Sequence, residues 1–266
     1  MNKKGVVFFD VDKTLIDWEI GINEPTESTR ESIKKLKENG YLTMLATGRP
    51  KNIIRKNLLN LGLDGIIGSN GAYIEIDNKV ILNEYIETER LKEIVNFFEE
   101  NNIDYMLESQ KTNYINNKNN PVVERFLEGE VFTENNLTLE WDVKSVEIAK
   151  IIVLTYSEDD FNKTKEAFES KGFAFMGNLH NGMFEVYDAK YTKGYGVKKL
   201  LEKLDINRDN SYAFGDGEND LEMFQEVKHG IAMGGYFEGL KEFAFDFTED
   251  VENEGITRGL EKLGLI

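Results

Sequence analysis

Continuous apolar runs alternate along both ends of this chain with stretches in which apolar residues recur every three or four positions. Residues 5–9 (GVVFF) form an unbroken apolar run, which is typical of a strand covered on both faces. Residues 28–39 carry apolar side chains at helical spacing and end at an Asn-Gly pair that favours a helix stop. Residues 41–46 then predict a second strand. This alternation predicts an α/β fold with a doubly wound, mostly parallel sheet.

The alternation continues beyond residue 46. Pro50 predicts the first turn of a further helix that runs to Leu61, because this position needs no N–H donor. Residues 66–67 form a short predicted strand, and residues 73–82 predict a hairpin that turns at Asp77-Asn78. Towards the C-terminus we expect strands at 212–214 and 230–233, a helix that begins at Lys193 and another at 218–226.

The middle of the chain, from residue 83 to residue 188, follows a different order of elements. We expect two helices there, around 91–98 and over 158–170, and strands at 103–107, 148–156, 173–176 and 183–187. The polar run NYINNKNNP between them predicts a loop. These elements predict a separate α+β cap domain at 83–188, inserted into a core domain formed by residues 1–82 and 189–266.

The composition narrows the class of protein. The 266 residues carry a formal net charge of -17, which argues against a nucleic-acid partner because phosphate backbones attract basic surfaces. There are no cysteines, so disulfides, zinc-thiolate sites and cysteine nucleophiles are excluded. Since the only histidines are His180 and His229, any metal should be a hard cation held by oxygen ligands.

No apolar run approaches the roughly 20 residues that a membrane-spanning helix needs. The apolar run near the N-terminus is too short for a signal peptide and ends at Asp10, so we interpret it as a strand. We therefore expect no membrane partner and a cytoplasmic location. The sequence leaves the oligomeric state open.

The first candidate for chemistry is Asp10-Val11-Asp12, directly after the first predicted strand. Ligands of open α/β sheets bind beyond the carboxyl ends of the strands. Two carboxylates at this place are costly near a core unless they are paired or hold a cation. Taken alone, the pattern is explained equally well by a polar turn built from Asp residues.

Two further strand and helix junctions carry polar groups. Thr47-Gly48-Arg49 follows the second strand, where a hydroxyl, backbone N–H groups and a helix N-terminus would form an anion site. Taken alone, an ordinary helix N-cap by Thr47 is the commoner explanation. Lys193 starts a predicted helix, where a positive charge is slightly unfavourable, so we expect an anionic partner nearby.

The fourth candidate is the acidic loop GDGEND at residues 215–220, which follows a predicted strand. Its glycines allow a ligand to approach the backbone closely. Three acidic residues within five positions favour a bound cation, whereas the alternative is a plain Asp-Gly turn. The four candidates together are more specific than any one of them, because each lies where a strand meets a helix.

In this order the four segments resemble the motifs of the haloacid dehalogenase superfamily of phosphotransferases, namely D-x-D-x-T, a strand-end Ser or Thr, a Lys and an acidic G-D-x-x-x-D loop. The strings ATGRP, SNGA, GDGENDLEMF and GIAMG are similar to those of the Cof-like branch, which inserts its cap between the second and third motifs. Two positions depart from the family pattern: Lys13 stands where Gly is usual, and Gly235 stands where Asn is common.

The resemblance implies an Mg²⁺-dependent phosphatase with a Rossmann-like core, in which Asp10 is the nucleophile and carries the phosphoryl group as an aspartyl phosphate. Asp12 would act first as general acid and then as general base. Mg²⁺ would be held by Asp10, Asp216 and the main-chain carbonyl of Asp12. Asp220 would be either a further metal ligand or a partner of Lys193.

The resemblance also implies which groups bind the substrate, a small phosphorylated metabolite such as a sugar phosphate. Thr47 and the backbone N–H that follows it would hold the phosphoryl oxygens, and Lys193 would neutralise their charge. Asn219 would donate to the phosphate or to its ester. The remaining substrate-binding candidates are Gly48, Arg49 and Asn70, of which Arg49 either touches the substrate or pairs with an acidic neighbour.

Two other functions stay open at this point. An intramolecular phosphotransferase, such as a sugar-phosphate mutase, would use the same two aspartates but return the phosphoryl group to the sugar. A non-catalytic module could bind a phosphorylated ligand as a sensor, although the four intact motifs argue against it. A dinucleotide-dependent oxidoreductase fits poorly, because no G-x-G-x-x-G follows a strand.

Overall fold

The computed structural model describes residues 3–129 and 133–266. In chain order its strands are β1 Gly5–Phe9, β2 Tyr41–Ala46, β3 Gly65–Gly68, β4 Tyr73–Ile76, β5 Lys79–Asn83, β6 Tyr105–Glu108, β7 Asn113–Ile115, β8 Leu137–Thr138, β9 Lys150–Leu154, β10 Phe173–Asn178, β11 Met183–Asp188, β12 Ser211–Gly215, β13 His229–Ala232 and β14 Asp246–Phe247. Its α-helices are α1 Glu27–Glu38, α2 Lys56–Leu59, α3 Thr88–Glu100, α4 Pro121–Glu128, α5 Glu158–Phe168, α6 Lys193–Leu204, α7 Leu221–Glu226 and α8 Gly255–Lys262. None of the helices within the described ranges is both long and apolar enough to span a membrane.

In one part of the chain the strands form a sheet in the order β14-β13-β12-β1-β2-β3-β4-β5. Neighbours from β14 to β3 run parallel. At the other edge β4 and β5 form the predicted antiparallel hairpin. All five residues of β1 are buried, as its unbroken apolar run predicts. These features confirm the predicted α/β fold with its mostly parallel sheet.

Helix α6 packs against this sheet through Val197 and Leu200, which share a core cluster with buried residues of β1 and β2. The hydroxyl of Thr192 accepts a hydrogen bond from the Tyr195 N–H at 3.2 Å, so it satisfies one of the free donors at the start of the helix. The Thr192 N-cap and the packing of α6 together fix the position of Lys193.

A second sheet has the strand order β10-β11-β9-β6-β7-β8, in which β7 and β8 pair in parallel and the other neighbours are antiparallel. Phe98 of α3 and Phe168 of α5 pack in one apolar cluster with Ile151 of β9. Val122 of α4 packs in another cluster with Ile152, whose side chain points to the opposite face of the strand. Each face of this sheet therefore buries its own apolar layer against helices.

The chain divides into two compact units that carry these two sheets. We call them the core unit, which comprises the residues up to Arg49, Arg55–Asn83 and Tyr191–Ile266, and the cap unit, which comprises Pro50–Ile54 and Glu84–Lys190. The unit boundaries lie one or two residues beyond the predicted limits of 82/83 and 188/189. The larger difference is the short segment after Arg49, which the sequence places in the core domain.

The helix expected over residues 50–61 is wrong. A 3₁₀ turn at Lys51–Ile53 and the single turn of α2 take its place, with extended backbone at Ile54 and Arg55 between them. Ile53 packs in an apolar cluster of the cap unit, whereas α2 belongs to the core unit. The apolar positions of this stretch therefore serve two units and do not form one helical face.

The loop predicted for the polar run at residues 113–121 is also partly wrong. Asn113–Ile115 forms β7, and Pro121 is the first residue of α4. The Asn120 side chain caps that helix by accepting a hydrogen bond from the Val122 N–H at 2.9 Å. An Asn cap followed by Pro is a helix-start signal that the polar composition of the run concealed.

Candidate active site

Three neighbouring parallel strands end at the predicted site. Asp10 follows β1, Thr47 follows β2 and Asp216 follows β12, and β1 lies between the other two strands in the sheet. The Asp10 N–H donates to the Phe214 carbonyl at 3.0 Å, which fixes the backbone where it leaves the sheet. Because parallel strands present their carboxyl ends at one edge, residues far apart in the sequence meet here.

The centre of the site is a buried cluster of three carboxylates and one ammonium group. Asp10, Asp216 and Asp220 each place a carboxylate oxygen within 4.8 Å of the others. The Nζ atom of Lys193 lies 2.5 Å from Asp10 Oδ1 and 2.7 Å from Asp220 Oδ1. Lys193 is only 1% exposed, so these carboxylates replace water as the partners of its charge.

Crowding of acidic groups alters the protonation of the cluster. Burial, with the nearby Asp220 carboxylate, raises the pKa of Asp10 well above its usual range, although Lys193 lowers it in part. Burial and Asp220 likewise raise the pKa of Asp216 to about 7. Burial alone would lower the pKa of Lys193, but Asp10 and Asp220 outweigh this effect and raise it, so the lysine stays charged.

The excess of negative charge is of the kind that a divalent cation neutralises. Asp10 and Asp216 lie at the ends of neighbouring strands, and the metal-ligand candidates in the cluster are all carboxylate oxygens. Such a set suits Mg²⁺, which takes few carboxylates and keeps water and phosphate oxygens as its other ligands. The residues present therefore fit the predicted cation.

Asp220 uses both of its carboxylate oxygens within the protein. Oδ1 pairs with Lys193, and Oδ2 accepts the N–H groups of Asp216 at 3.0 Å and Gly217 at 2.9 Å. Gly215 lies so close that a Cβ there would come within 2.6 Å of the Asp220 carboxylate. Of the two roles that the sequence left open, these contacts favour the partner of Lys193.

Thr14 is a site residue to which the sequence reasoning gave no role. Its hydroxyl donates to Asp216 Oδ1 at 3.1 Å, and the residue is buried. This bond orients the carboxylate and favours its ionised form. The Thr of the D-x-D-x-T pattern was the available signal, but nothing in the sequence indicated that its partner follows 202 positions later.

Asp12 does not join the carboxylate cluster through its side chain. Arg49 binds both of its oxygens, with Nη2 2.6 Å from Oδ1 and Nε 3.3 Å from Oδ2. Of the two roles expected for Arg49, the structure therefore shows the pairing with an acidic neighbour. The metal contact expected from the main-chain carbonyl of Asp12 stays a prediction.

The Thr47-Gly48-Arg49 loop is held by hydrogen bonds on both sides. The Thr47 hydroxyl accepts a hydrogen bond from the Arg49 N–H at 3.2 Å, so the loop forms a tight turn. The N–H groups of Ser69 and Asn70 donate to the carbonyls of Arg49 and Thr47 at 3.1 and 3.3 Å. No α-helix starts here, since a 3₁₀ turn follows at Lys51–Ile53, so the expected α-helix N-terminus is wrong.

Two asparagine side chains converge on Gly48 from different elements. A Cβ at Gly48 would lie 2.8 Å from Asn70 Oδ1 and 3.8 Å from Asn219 Nδ2. A side chain at this position would have to displace the Asn70 amide, whereas glycine lets that amide approach the backbone. With these contacts, the candidate residues of all four motifs and of the SNGA turn lie together in the core unit.

Comparison with known proteins gives the family. The family model of haloacid dehalogenase-like hydrolases matches residues 7–260 of the chain. YkrA of Bacillus subtilis, which is provisionally named as a phosphatase, is 28% identical over 261 residues that make up 98% of each protein.

Solved structures show the same fold. A crystal structure of a hypothetical protein from Geobacillus kaustophilus has 27% identity and a TM-score of 0.87, covering 98% of this chain and 99% of that one. The structure of the sugar phosphatase BT4131, of HAD subclass IIB, has 24% identity and a TM-score of 0.83, covering 98% and 100% of the two chains. The chain belongs to the haloacid dehalogenase-like hydrolase family, and the enzyme class that its relatives indicate is that of a phosphatase.

Proposed function

We propose that this protein is an Mg²⁺-dependent phosphatase that hydrolyses small phosphorylated metabolites through a phosphoryl ester on Asp10. One observation carries the proposal: the Asp10 carboxylate lies at the end of the central strand, against Lys193 and beside Asp216. A carboxylate in this setting has a cation to offset the incoming phosphate and a second carboxylate with which to share a metal. Both are needed for an anionic nucleophile to approach an anionic substrate.

The chemistry proceeds in two balanced steps. An oxygen of Asp10 attacks phosphorus, the bond from phosphorus to the ester oxygen breaks, and Asp12 gives its proton to the departing alcohol. Water then attacks the phosphorus of the aspartyl phosphate while Asp12 takes the water proton. Inorganic phosphate leaves and the Asp10 carboxylate is regenerated.

Asp12 needs a defined position to serve both steps. Arg49 holds both of its oxygens, which fixes the carboxylate beside the nucleophile two residues away. Since Arg49 only donates hydrogen bonds, the oxygen of Asp12 that carries the proton must give up its bond to the guanidinium. The other oxygen can keep its bond to Arg49, so we assign Arg49 the role of orienting Asp12.

Charge on the phosphoryl group is neutralised from several directions. Asp10, Asp216 and the main-chain carbonyl of Asp12 would hold Mg²⁺, whose charge would offset the phosphoryl oxygens and keep Asp10 ionised. Lys193 supplies a second positive charge, and Asp220 fixes it in place. The further substrate contacts that we propose are the Thr47 hydroxyl, the Gly48 N–H and the side chain of Asn219.

Sugar monophosphates are the first substrate class to test, because the structural relative BT4131 is a sugar phosphatase. Phosphate release would be measured over a panel of sugar and other metabolite monophosphates, with Mg²⁺ and with a chelator. We expect turnover that stops on chelation and returns when Mg²⁺ is added. Activity that persists in metal-free protein would contradict the proposed cation.

The nucleophile is tested by Asp10→Asn, which keeps the shape of the side chain and removes its charge. We expect phosphate release to fall by several orders of magnitude, because loss of a catalytic nucleophile can cost on the order of 10⁶ in kcat. Circular dichroism and thermal melting would show that the fold is retained. Near-normal turnover would reject Asp10 as the nucleophile, and conversion between sugar phosphate isomers without free phosphate would identify a mutase.

A further inference from the structure

The turn Ser69–Gly71 between β3 and β4 has an unusual backbone. All three residues have positive φ, at 49°, 52° and 93°, although two of them carry side chains. The left-handed conformation costs such residues roughly 1–2 kcal/mol each, although Asn tolerates it better than most. Ser69 and Asn70 are also buried, so solvent does not stabilise the turn. Strain that persists in this way is held by its surroundings and is frequent at functional sites.

On one side the turn grips the Thr47-Gly48-Arg49 loop. Two consecutive N–H groups, those of Ser69 and Asn70, donate to the two carbonyls that flank Gly48. The Asn70 Oδ1 atom occupies the space next to Gly48, 2.8 Å from where a Cβ would be. The left-handed backbone is what allows both donors and the side chain to face the same loop.

On the other side the turn lies against the start of α6. A Cβ at Gly71 would come within 2.0 Å of the Thr192 carbonyl oxygen and 2.9 Å of the Gly196 nitrogen. Thr192 caps the helix whose first residue is Lys193. The turn is therefore wedged between the loop that carries Thr47 and the helix that carries Lys193.

We propose that Asn70 is a positioning residue, whose side chain fixes the Gly48 peptide and so sets the distance from the Thr47 loop to Lys193. This inference rests on the proposed phosphatase function. In it, Asn70 acts on the Gly48 peptide and does not itself contact the substrate. The transferring phosphoryl group would be held between these two elements only if their spacing is right. A displacement of about 1 Å can cost as much as a hundredfold in rate.

The first test compares Asn70→Gly with Asn78→Gly. Asn78 is also left-handed, with φ of 60°, but it lies exposed in the turn between β4 and β5. Glycine adopts this conformation freely, so both variants should fold and melt near the wild-type temperature. We expect Asn70→Gly to lower kcat roughly tenfold or more with little change in KM, and Asn78→Gly to change neither.

The second test is a double-mutant cycle with Gly48→Ala, whose methyl group would collide with Asn70 Oδ1. If Asn70 acts through Gly48, the variant with both changes should lose about as much kcat as the worse single variant. Losses that multiply would show two independent effects and overturn the proposal. If Gly48→Ala does not fold, the comparison of Asn70→Gly with its control decides alone.

Three further outcomes would also overturn the proposal. Wild-type kinetics in Asn70→Gly would show that the side chain has no task, and a raised KM at unchanged kcat would assign it to substrate contact. A large loss of melting temperature would assign it to stability. If the wild-type protein releases no phosphate, the proposed function is rejected. This outcome differs from those that overturn only the role of Asn70.

Discussion

The hydroxyl of Thr14 supports the Asp216 carboxylate of the site. It is the donor to a carboxylate whose pKa is already raised by burial and by Asp220, so it acts against both effects. A ligand carboxylate that loses such a partner is free to rotate and less often ionised. Outer contacts of this kind typically change metal affinity by about 10–100-fold.

We therefore expect Thr14→Val to raise the Mg²⁺ concentration for half-maximal phosphate release roughly tenfold. The matched control is Thr43→Val in β2, because Thr43 is equally buried and its hydroxyl donates to the Asp64 carboxylate at 3.0 Å. That variant should lose comparable thermal stability without a change in the Mg²⁺ requirement. An equal shift in both variants would mean that Thr14 acts only through stability.

At this scale the sequence indicated the residues of the site but not their partners. The three candidate strand ends and Lys193 follow from local patterns, since each places a polar group after or before an apolar element. The pairs Asp12 with Arg49 and Lys193 with Asp220 join residues 37 and 27 positions apart, and folding decides which acidic group each cation meets. Local spacing carries no information about that choice.

Lys150, at the start of β9, is a buried cation of the cap unit. It is buried and lies 3.2 Å from Glu108 of β6 and 2.8 Å from Glu185 of β11. Burial alone would lower the pKa of Lys150, but the two carboxylates outweigh it and raise the pKa. Three neighbouring strands are therefore tied together by one charge network.

Removing the lysine should leave the Glu108 carboxylate buried without its cation. We expect Lys150→Met to destabilise the protein by about 3–5 kcal/mol in denaturant unfolding. Changing Glu108→Gln as well should restore part of the loss, because the uncompensated charge is then removed. Lys163→Met, which breaks the exposed pair with Asp159, is the control and should leave stability almost unchanged.

Asp64 ties the start of β3 to β2 and α1. Its carboxylate accepts the Thr43 N–H at 2.9 Å and lies 3.0 Å from Lys37 Nζ. Burial would raise the pKa of Asp64, but these contacts outweigh it and lower the pKa below its ordinary value of 3.8. A lowered carboxylate pKa adds stability that is complete above the ordinary value and is lost as the pH falls through the folded-state pKa.

Asp64→Asn should therefore cost about 1–3 kcal/mol at pH 7, and this cost should shrink when the pH is brought well below 3.8. Melting curves of both proteins between pH 2.5 and pH 7, in steps of about half a unit, would measure the difference. A cost that stays constant over this range would show that the carboxylate contributes through shape alone.

Helices and strands were predictable where their apolar residues all pack into one core. The buried run of β1 and the amphipathic pattern of α1 and α6 each serve a single core, so periodicity identified them. The stretch over residues 50–61 failed because its apolar side chains pack in two different units. A periodic pattern identifies a helix only when one surface receives all of its apolar positions.

For the whole molecule, the net charge of -17 should affect how the proposed cation binds. A strongly acidic protein attracts Mg²⁺ over a distance that salt shortens, from about 30 Å at 0.01 M to about 8 Å at physiological ionic strength. We expect the Mg²⁺ concentration for half-maximal activity to rise as KCl is added. An unchanged requirement would show that only the buried carboxylates attract the ion.

The assignment of Pro50–Ile54 to the cap unit has a consequence for how this protein can be recombined. Lys51 N–H bonds to Gln110, and the Asn52 amide donates to Asn113 Oδ1 at 3.0 Å, so this short piece is anchored to strands and loops encoded much later. A chimera that exchanges only Glu84–Lys190 for the matching part of a relative leaves these contacts facing a foreign surface. The cap unit therefore consists of two separate pieces of the chain. A chimera that is to fold must exchange both Pro50–Ile54 and Glu84–Lys190, and it then has four junctions with the core unit.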